Sequence, residues 1–300
     1  MKIWTNYLTP SSLSDALRAL RESPAPVRVV AGGTDLLLEL QQGKHAPVHT
    51  LVDVSAIPEM RGIEIRDGHL FIGAAEPVSR VAASPLVHEH AQALSEAASL
   101  IGGPQVRNVA TLGGNVAHAL PAADGAIALT ALDAVAEIAS PAGTRRAPLP
   151  SLYRGVTQNT LAADEVLLGF SLPLKGPGEA SAFRRVMRPQ GVAVAILNVA
   201  VWLRREGERI ADVRIAIGPS GPVIRRMTEA EDALRGQMLT EENLRRAHEA
   251  VLEQARFRTS RHRATKEYRQ RVVGVLLREA LTAAWERGTV NSEQGLGSRD

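Results

Sequence analysis

The residues best suited to chemistry in this chain form two short glycine loops, Ala31-Gly32-Gly33-Thr34-Asp35 and Thr111-Leu112-Gly113-Gly114-Asn115. Consecutive glycines open backbone conformations closed to other residues and remove the Cβ atoms that would hold a ligand off. Where such a turn opens a helix, unpaired N–H groups favour a phosphate. Thr34 adds a hydroxyl, and Asn115 an amide that both donates and accepts. One loop would serve a mononucleotide; two on facing walls suit the two phosphates of a dinucleotide. Taken singly, each is equally a plain tight connector, because sharp turns need glycine for geometry alone. Neither loop is G-x-G-x-x-G and neither runs into Lys-Ser or Lys-Thr, so the Rossmann fingerprint and the P-loop are both excluded.

Other constellations offer less. His88-Glu89-His90 suggests a metal, but alternate residues of a helix point apart, so the run reads as a solvated helix face, and His45, His49 and His118 are likewise not read as ligands. The 300 residues contain no cysteine, which excludes a disulfide scaffold, a thiol nucleophile and any thiolate-held zinc or iron–sulfur cluster in this chain. Redox chemistry would therefore need an organic cofactor or a partner's metal. Residues 1–175 carry 13 Lys and Arg against 16 Asp and Glu, and residues 176–300 carry 22 against 16. Much of that second excess lies in Arg256-Phe257-Arg258-Thr259-Ser260-Arg261-His262-Arg263. With only 3% aromatic residues, the chain lacks the stacking platforms of a single-strand nucleic-acid groove. The run is read instead as an Arg-rich loop and solvated helix face, or as a patch that docks a partner or a phosphate.

The elements that position these residues follow from periodicity. Apolar residues at 13, 16, 17 and 20 predict a helix, with Ser12 and Asp15 as a capping box and Pro24 and Pro26 beyond its end. Val27–Ala31 reads as a strand, the first glycine loop as its turn, Thr34–Leu40 as a helix and His49–Val54 as a second strand parallel to the first. Ile63–Gly73 reads as a hairpin turning at Asp67-Gly68. Helices are expected over 76–84 and 87–101, and strands over Ala134–Ala139, Glu165–Leu172, Val192–Leu203 and Ile210–Ile217. Two more helices are expected over Glu241–Gln254 and Thr265–Glu286. Lys175–Glu179 reads as a linker and 291–300 as a flexible tail. The expected parts are thus 1–57, 58–175 and 176–290. No apolar run is long enough to span a membrane and no secretory signal is visible after Met1, so a cytoplasmic location is expected.

Taken together, these motifs resemble the FAD-binding medium subunit of the xanthine dehydrogenase and carbon monoxide dehydrogenase family of molybdenum hydroxylases. The likeness rests on both glycine loops and the opening Tyr7–Leu13. It extends through Ala122-Ala123-Asp124, Asp164–Leu167 with Leu172-Pro173, Ser181–Arg184 and Ala216–Gly218, then Arg258 through Tyr268-Arg269. It implies an α+β chain: a two-part FAD-binding fold of the p-cresol methylhydroxylase type, with a small βαβ N-terminal part and a mixed, largely antiparallel middle part. A C-terminal α+β domain like that of the carbon monoxide dehydrogenase flavoprotein completes it. It further implies that FAD lies against Val29, Val30, Ala31, Gly32, Gly33, Thr34, Asp35 and Leu36, and against Thr111, Leu112, Gly113, Gly114 and Asn115. Asp124 would take the ribityl or adenosine side, Leu167 would pack the adenine, Arg184 would lie where relatives often have Lys, and Ile101 would lie near the isoalloxazine.

The function implied is electron transfer within a heterotrimer. A small subunit with 2Fe-2S clusters would deliver electrons from a large molybdopterin subunit, and the acceptor would be NAD+, a quinone, a carrier protein or oxygen. The absence of cysteine argues against the branch whose medium subunit holds an extra 4Fe-4S cluster. Two other readings remain: a self-contained flavin oxidoreductase of the p-cresol methylhydroxylase type, and a nucleotide-binding scaffold that has lost flavin.

Overall fold

The structure is a computed structural model that describes residues 3–188 and 194–294, with side chains to 288. Its opening part is a three-stranded parallel sheet in the order β1-β3-β2, built from β1 (Trp4–Leu8), β2 (Val27–Val30) and β3 (Val48–Asp53). Helix α1 (Leu13–Glu22) joins β1 to β2, and α2 (Leu36–Gln41) joins β2 to β3. Ser12 caps α1 by accepting the Asp15 N–H at 3.2 Å, while its hydroxyl donates to the Asp15 carboxylate at 2.7 Å. The expected parallel pairing of the two strands around the first glycine loop is present. Strand β1 adds a third member that the periodicity of Trp4–Leu8 did not signal, because four of its five residues are exposed.

The middle part is a five-stranded antiparallel sheet. The hairpin β4 (Ile63–Arg66) and β5 (His69–Gly73) turns at Asp67-Gly68 as the sequence requires. Helix α3 (Val78–Ala83) follows. The helix expected over 87–101 is two: α4 (Pro85–His90) and α5 (Gln92–Leu100), divided where Ala91 takes φ −142° and ψ 50°, outside the helical region. No glycine or proline marks that break. Short helices α6 (Pro104–Arg107) and α7 (Leu112–Ala117) lead to the buried α8 (Asp124–Ala131). Strands β6 (Val135–Ser140) and β7 (Gly143–Pro148) come next, then the small pair β8 (Tyr153–Gly155) and β9 (Gln158–Asn159), and β10 (Val166–Pro173). Strand β10 inserts between β5 and β6, giving the order β4-β5-β10-β6-β7.

Beyond the linker, β11 (Glu179–Val186), β12 (Leu197–Glu206) and β13 (Arg209–Gly218) form an antiparallel sheet covered by α9 (Thr228–Leu234), α10 (Glu241–Gln254) and α11 (Lys266–Gln294). Both faces of this sheet are buried. Phe183, Ala200, Trp202 and Ala216 pack into the middle part's core, while Val199, Val201, Ile215 and Ile217 pack on the helices. Alternate residues of a strand point to opposite faces, so a strand covered twice reads as a continuous apolar run. Strand β12 begins at Leu197 rather than Val192; Val192 and Ala193 lie outside the described residues. Helix α11 runs on to Gln294, into the segment read as a tail, and 295–300 lie outside the described residues. Among the described residues no helix is long and apolar enough to cross a membrane.

Candidate functional site

The first glycine loop leaves β2 and enters α2. From Gly32 to Leu36, five consecutive backbone N–H groups donate to nothing among the described residues, and neither does the Thr34 hydroxyl. The loop's carbonyls are used instead: Leu37 N–H donates to Gly33 O at 2.9 Å, and Glu39 N–H to Asp35 O at 2.9 Å. Asp35 makes no side-chain cap and is exposed. Backbone donors turned outward in series form a concavity suited to an oxyanion, and left unmet they are costly. This arrangement fits a phosphate-bearing cofactor.

The second loop is wired inward. Leu112 N–H donates to Glu76 O at 3.1 Å, Gly113 N–H to Ala74 O at 2.8 Å and Asn115 N–H to Thr111 O at 3.0 Å. Gly114 N–H goes to the Thr111 hydroxyl at 3.0 Å, making Thr111 the N-cap of α7. The Asn115 amide oxygen is also engaged, accepting the Ala126 N–H of α8 at 3.1 Å. The two loops are therefore not matching cradles: the first keeps five consecutive amides open, whereas four of the five in Thr111–Asn115 donate within the protein.

The glycines differ in the same way. A Cβ on Gly32 would lie 2.0 Å from Val109 O, so its bareness lets the first loop press directly on the backbone leading into the second. Gly33 has φ +66°, and Gly113 is packed against Ala74 O, 2.6 Å from where its Cβ would be. Only Gly114 is exposed, meeting nothing nearer than Thr111 Oγ1 at 3.1 Å. Three of the four glycines thus serve internal geometry, and one leaves open surface. A further bridge joins the loops: His118 Nε2 lies 3.9 Å from both Asp35 Oδ1 and Glu39 Oε1.

The remaining predicted residues lie on β2, α5, α8, β10 and β11. Val29 and Val30 are in β2 beneath the first loop, Val30 being buried against β3. Ile101 ends α5, and Arg107 donates to its carbonyl at 3.2 Å. Leu167 is buried in β10 and belongs to the core. Asp124 opens α8 with both oxygens engaged: Oδ1 accepts from Asn198 Nδ2 at 2.6 Å, and Oδ2 pairs with Arg185. Burial pushes the Asp124 carboxyl up, against the opposing pull of Arg185 and Asn198. Arg184 instead donates to Phe183 O at 2.8 Å and lies 3.4 Å from Glu96, which also pairs with Arg287. Arg185 and Asn198 are the polar residues that the sequence reading missed. Strand alternation was the available signal, since neighbours on β11 must face opposite ways. Strands β10 and β11, which carry two of the segments behind the resemblance, belong to different sheets.

The histidine run is used structurally. His88 Nε2 is 3.1 Å from Ser95 Oγ, and His90, 12% exposed and so not a solvated side chain, accepts the Lys175 N–H at 3.3 Å.

Residues 3–175 match the family model described as the FAD binding domain in molybdopterin dehydrogenase, and residues 181–284 match the carbon monoxide dehydrogenase flavoprotein C-terminal domain. The chain belongs to this family of flavoprotein subunits. It is 31% identical over 284 residues to the putative xanthine dehydrogenase FAD-binding subunit of Escherichia coli K12, covering 94% of this chain and 96% of that one. It is 30% identical to the carbon monoxide dehydrogenase medium chain of Hydrogenophaga pseudoflava, covering 94% and 97%. A solved structure of the Hydrogenophaga pseudoflava carbon monoxide dehydrogenase superposes with a TM-score of 0.89 at 30% identity, covering 94% of this chain and 98% of that one. Quinoline 2-oxidoreductase of Pseudomonas putida 86 does so at 0.87 and 27%, covering 95% and 98%. The chain is thus an oxidoreductase flavoprotein subunit with the α+β architecture of the carbon monoxide dehydrogenase medium chain.

Proposed function

We propose that this subunit carries electrons in a heterotrimeric molybdenum hydroxylase, with 2Fe-2S clusters in a small partner and the molybdopterin cofactor in a large one. Bound FAD supplies the redox chemistry between those clusters and an external acceptor of the NAD+, quinone, carrier-protein or oxygen class. The open amides of Gly32–Leu36 carry the reading: they, with the Thr34 hydroxyl, would hold the pyrophosphate. Ala31 and Val29-Val30 brace that loop from below. Thr111, Leu112, Gly113 and Asn115 shape the second wall, and exposed Gly114 leaves room beside it. Ile101, Asp124, Leu167 and Arg184 would line the cofactor farther along, with Asp124 held by Arg185 and Asn198. A working division at residues 57 and 176 is supported by the four sheets, each lying within one of those parts. A cytoplasmic complex is part of the same reading.

Purification of the native complex tests it. Stoichiometric FAD by absorbance and co-elution with iron and molybdenum are expected. A colourless chain that fails to take up added FAD overturns the flavin assignment. A yellow monomer that turns over a small substrate alone overturns the subunit assignment.

A further inference from the structure

Outside the glycine loops, a cavity of about 310 Å³ opens where the middle and C-terminal parts meet. One wall is apolar, including Pro121 and Val156; the other carries Arg256, Arg258, Arg263 and Arg269. Arg269 is 2% exposed, and only part of its guanidinium is used: Nη1 donates to Ile196 O at 2.6 Å, while Nε has no partner among the described residues. Among the described residues no carboxylate pairs with any of these four arginines. Burial lowers the Arg263 and Arg269 guanidinium pKa values, and neighbouring positive charge lowers them further: Arg258 acts on both, and Arg263 on Arg269.

Arg256 and Arg258 are exposed, but Arg263 is partly buried and Arg269 fully so, and charged groups withdrawn from water without a counter-charge are expensive. The backbone holds the four on this wall. Arg256 N–H donates to Ser220 O at 2.7 Å, Ser260 N–H to Ala264 O at 2.9 Å, and Lys266 N–H to Thr259 Oγ1 at 3.0 Å. The guanidiniums are therefore presented by a tied segment. Guanidinium forks match phosphate oxygens bidentately, the Ser260 hydroxyl beside them adds a neutral donor, and the apolar wall suits an uncharged remainder.

We propose that this cavity binds a small phosphate-bearing ligand, with Arg258, Arg263 and Arg269 as its anion-binding wall. The site shares no residue with the glycine loops, so the proposal stands apart from the FAD assignment. A bare phosphate would leave much of the volume unfilled, which points to a phosphorylated organic molecule.

The test is calorimetric titration of inorganic pyrophosphate into the full chain already saturated with FAD, at about 0.1 M chloride so that diffuse surface attraction is screened. Saturable binding is expected, weakened about tenfold or more by Arg258→Gln and by Arg263→Gln, and unchanged by Arg146→Gln on β7. Arg263→Lys, which keeps the charge and loses the fork, should fall between wild type and Arg263→Gln. Flavin absorbance and circular dichroism of each variant establish that the fold and the cofactor site persist. Absence of saturable binding, or binding unaltered in both cavity variants, overturns the proposal. So does flavin loss in those variants, which would merge the cavity with the flavin site. A protein that ignores pyrophosphate but loses a partner subunit on Arg258→Gln and Arg263→Gln overturns the proposal and makes this wall a basic surface that docks an acidic partner.

Discussion

At Gly32–Leu36 five backbone N–H groups donate to no described partner, whereas at Leu112–Asn115 all four are spent inside the protein. The sequences Ala-Gly-Gly-Thr-Asp and Leu-Gly-Gly-Asn-Val do not foretell that difference. It arises because residues 74–76 and Thr111 supply acceptors for the second loop's amides, and α8 donates Ala126 N–H to the Asn115 side chain, while the first loop leaves the edge strand β2 with no acceptor turned to its amides. A glycine pair is thus evidence of close approach, and the tertiary neighbour decides whether the approaching group is protein or ligand.

The comparison can be broken most forcefully from the second loop's side. Asp124→Ala removes the carboxylate paired with Arg185 in a site where both side chains are under 8% exposed, and removing one partner of a buried pair costs about 3–5 kcal/mol. Urea denaturation should register a loss of that size, with α8 and the Asn115 contact disturbed together. Next is Gly32→Ala. Its Cβ would meet the Val109 carbonyl at 2.0 Å, backbone against backbone, with no side chain free to yield. About 3 kcal/mol of stability should go, the loops should part and FAD content should fall. Gly114→Ala, exposed and in a helix, should leave stability within about 1 kcal/mol of wild type. If it also leaves flavin affinity unchanged, the cofactor rests on the first loop alone.

The two threonines sharpen the contrast. Thr111→Val removes the α7 cap and should cost about 1 kcal/mol in thermal or urea unfolding. Thr34→Val removes a hydroxyl with no partner among the described residues; it should leave the melting curve of the flavin-free chain in place and weaken FAD binding by equilibrium dialysis. The smallest effect concerns the first loop's sheet. Tyr7 donates to Asp53 at 2.7 Å, and burial together with that carboxylate pushes its phenol up to about 12 from 10.0. A raised pKa means that the contribution is complete below pH 10.0 and lost as pH rises through about 12. It is small, because the side chain is half exposed. Buried Tyr153 is pushed up as well, so tyrosinate absorbance should show two late-titrating components, of which Tyr7→Phe removes the earlier.

Much of the fold was legible. The βαβ unit, the Asp67-Gly68 hairpin, β13 and α10 follow from period-2 and period-3.6 patterns with turn chemistry at their ends. Strand β1 was not legible because it is mostly exposed, and the α4–α5 break was not because Ala91 leaves the helix by packing rather than by composition. In the site, Gly33 and Thr34 were marked by type and spacing. Arg185 was not, since Arg184-Arg185 reads as surface charge until β11 is paired with β12 and one of the two is turned toward Asn198.

By itself the sequence determined the family, the absence of any thiolate metal site, the strand–turn–helix frame of the first loop and the excess of arginine after residue 255. These depend on residue identity and local period, which the chain carries along its length. Only the tertiary structure decided which glycine amides stay open, that Asp124 is spent on Arg185 and Asn198, and that four arginines share one cavity wall. Those outcomes depend on which distant segment supplies a hydrogen-bond acceptor or excludes water at each point, and no local pattern encodes that.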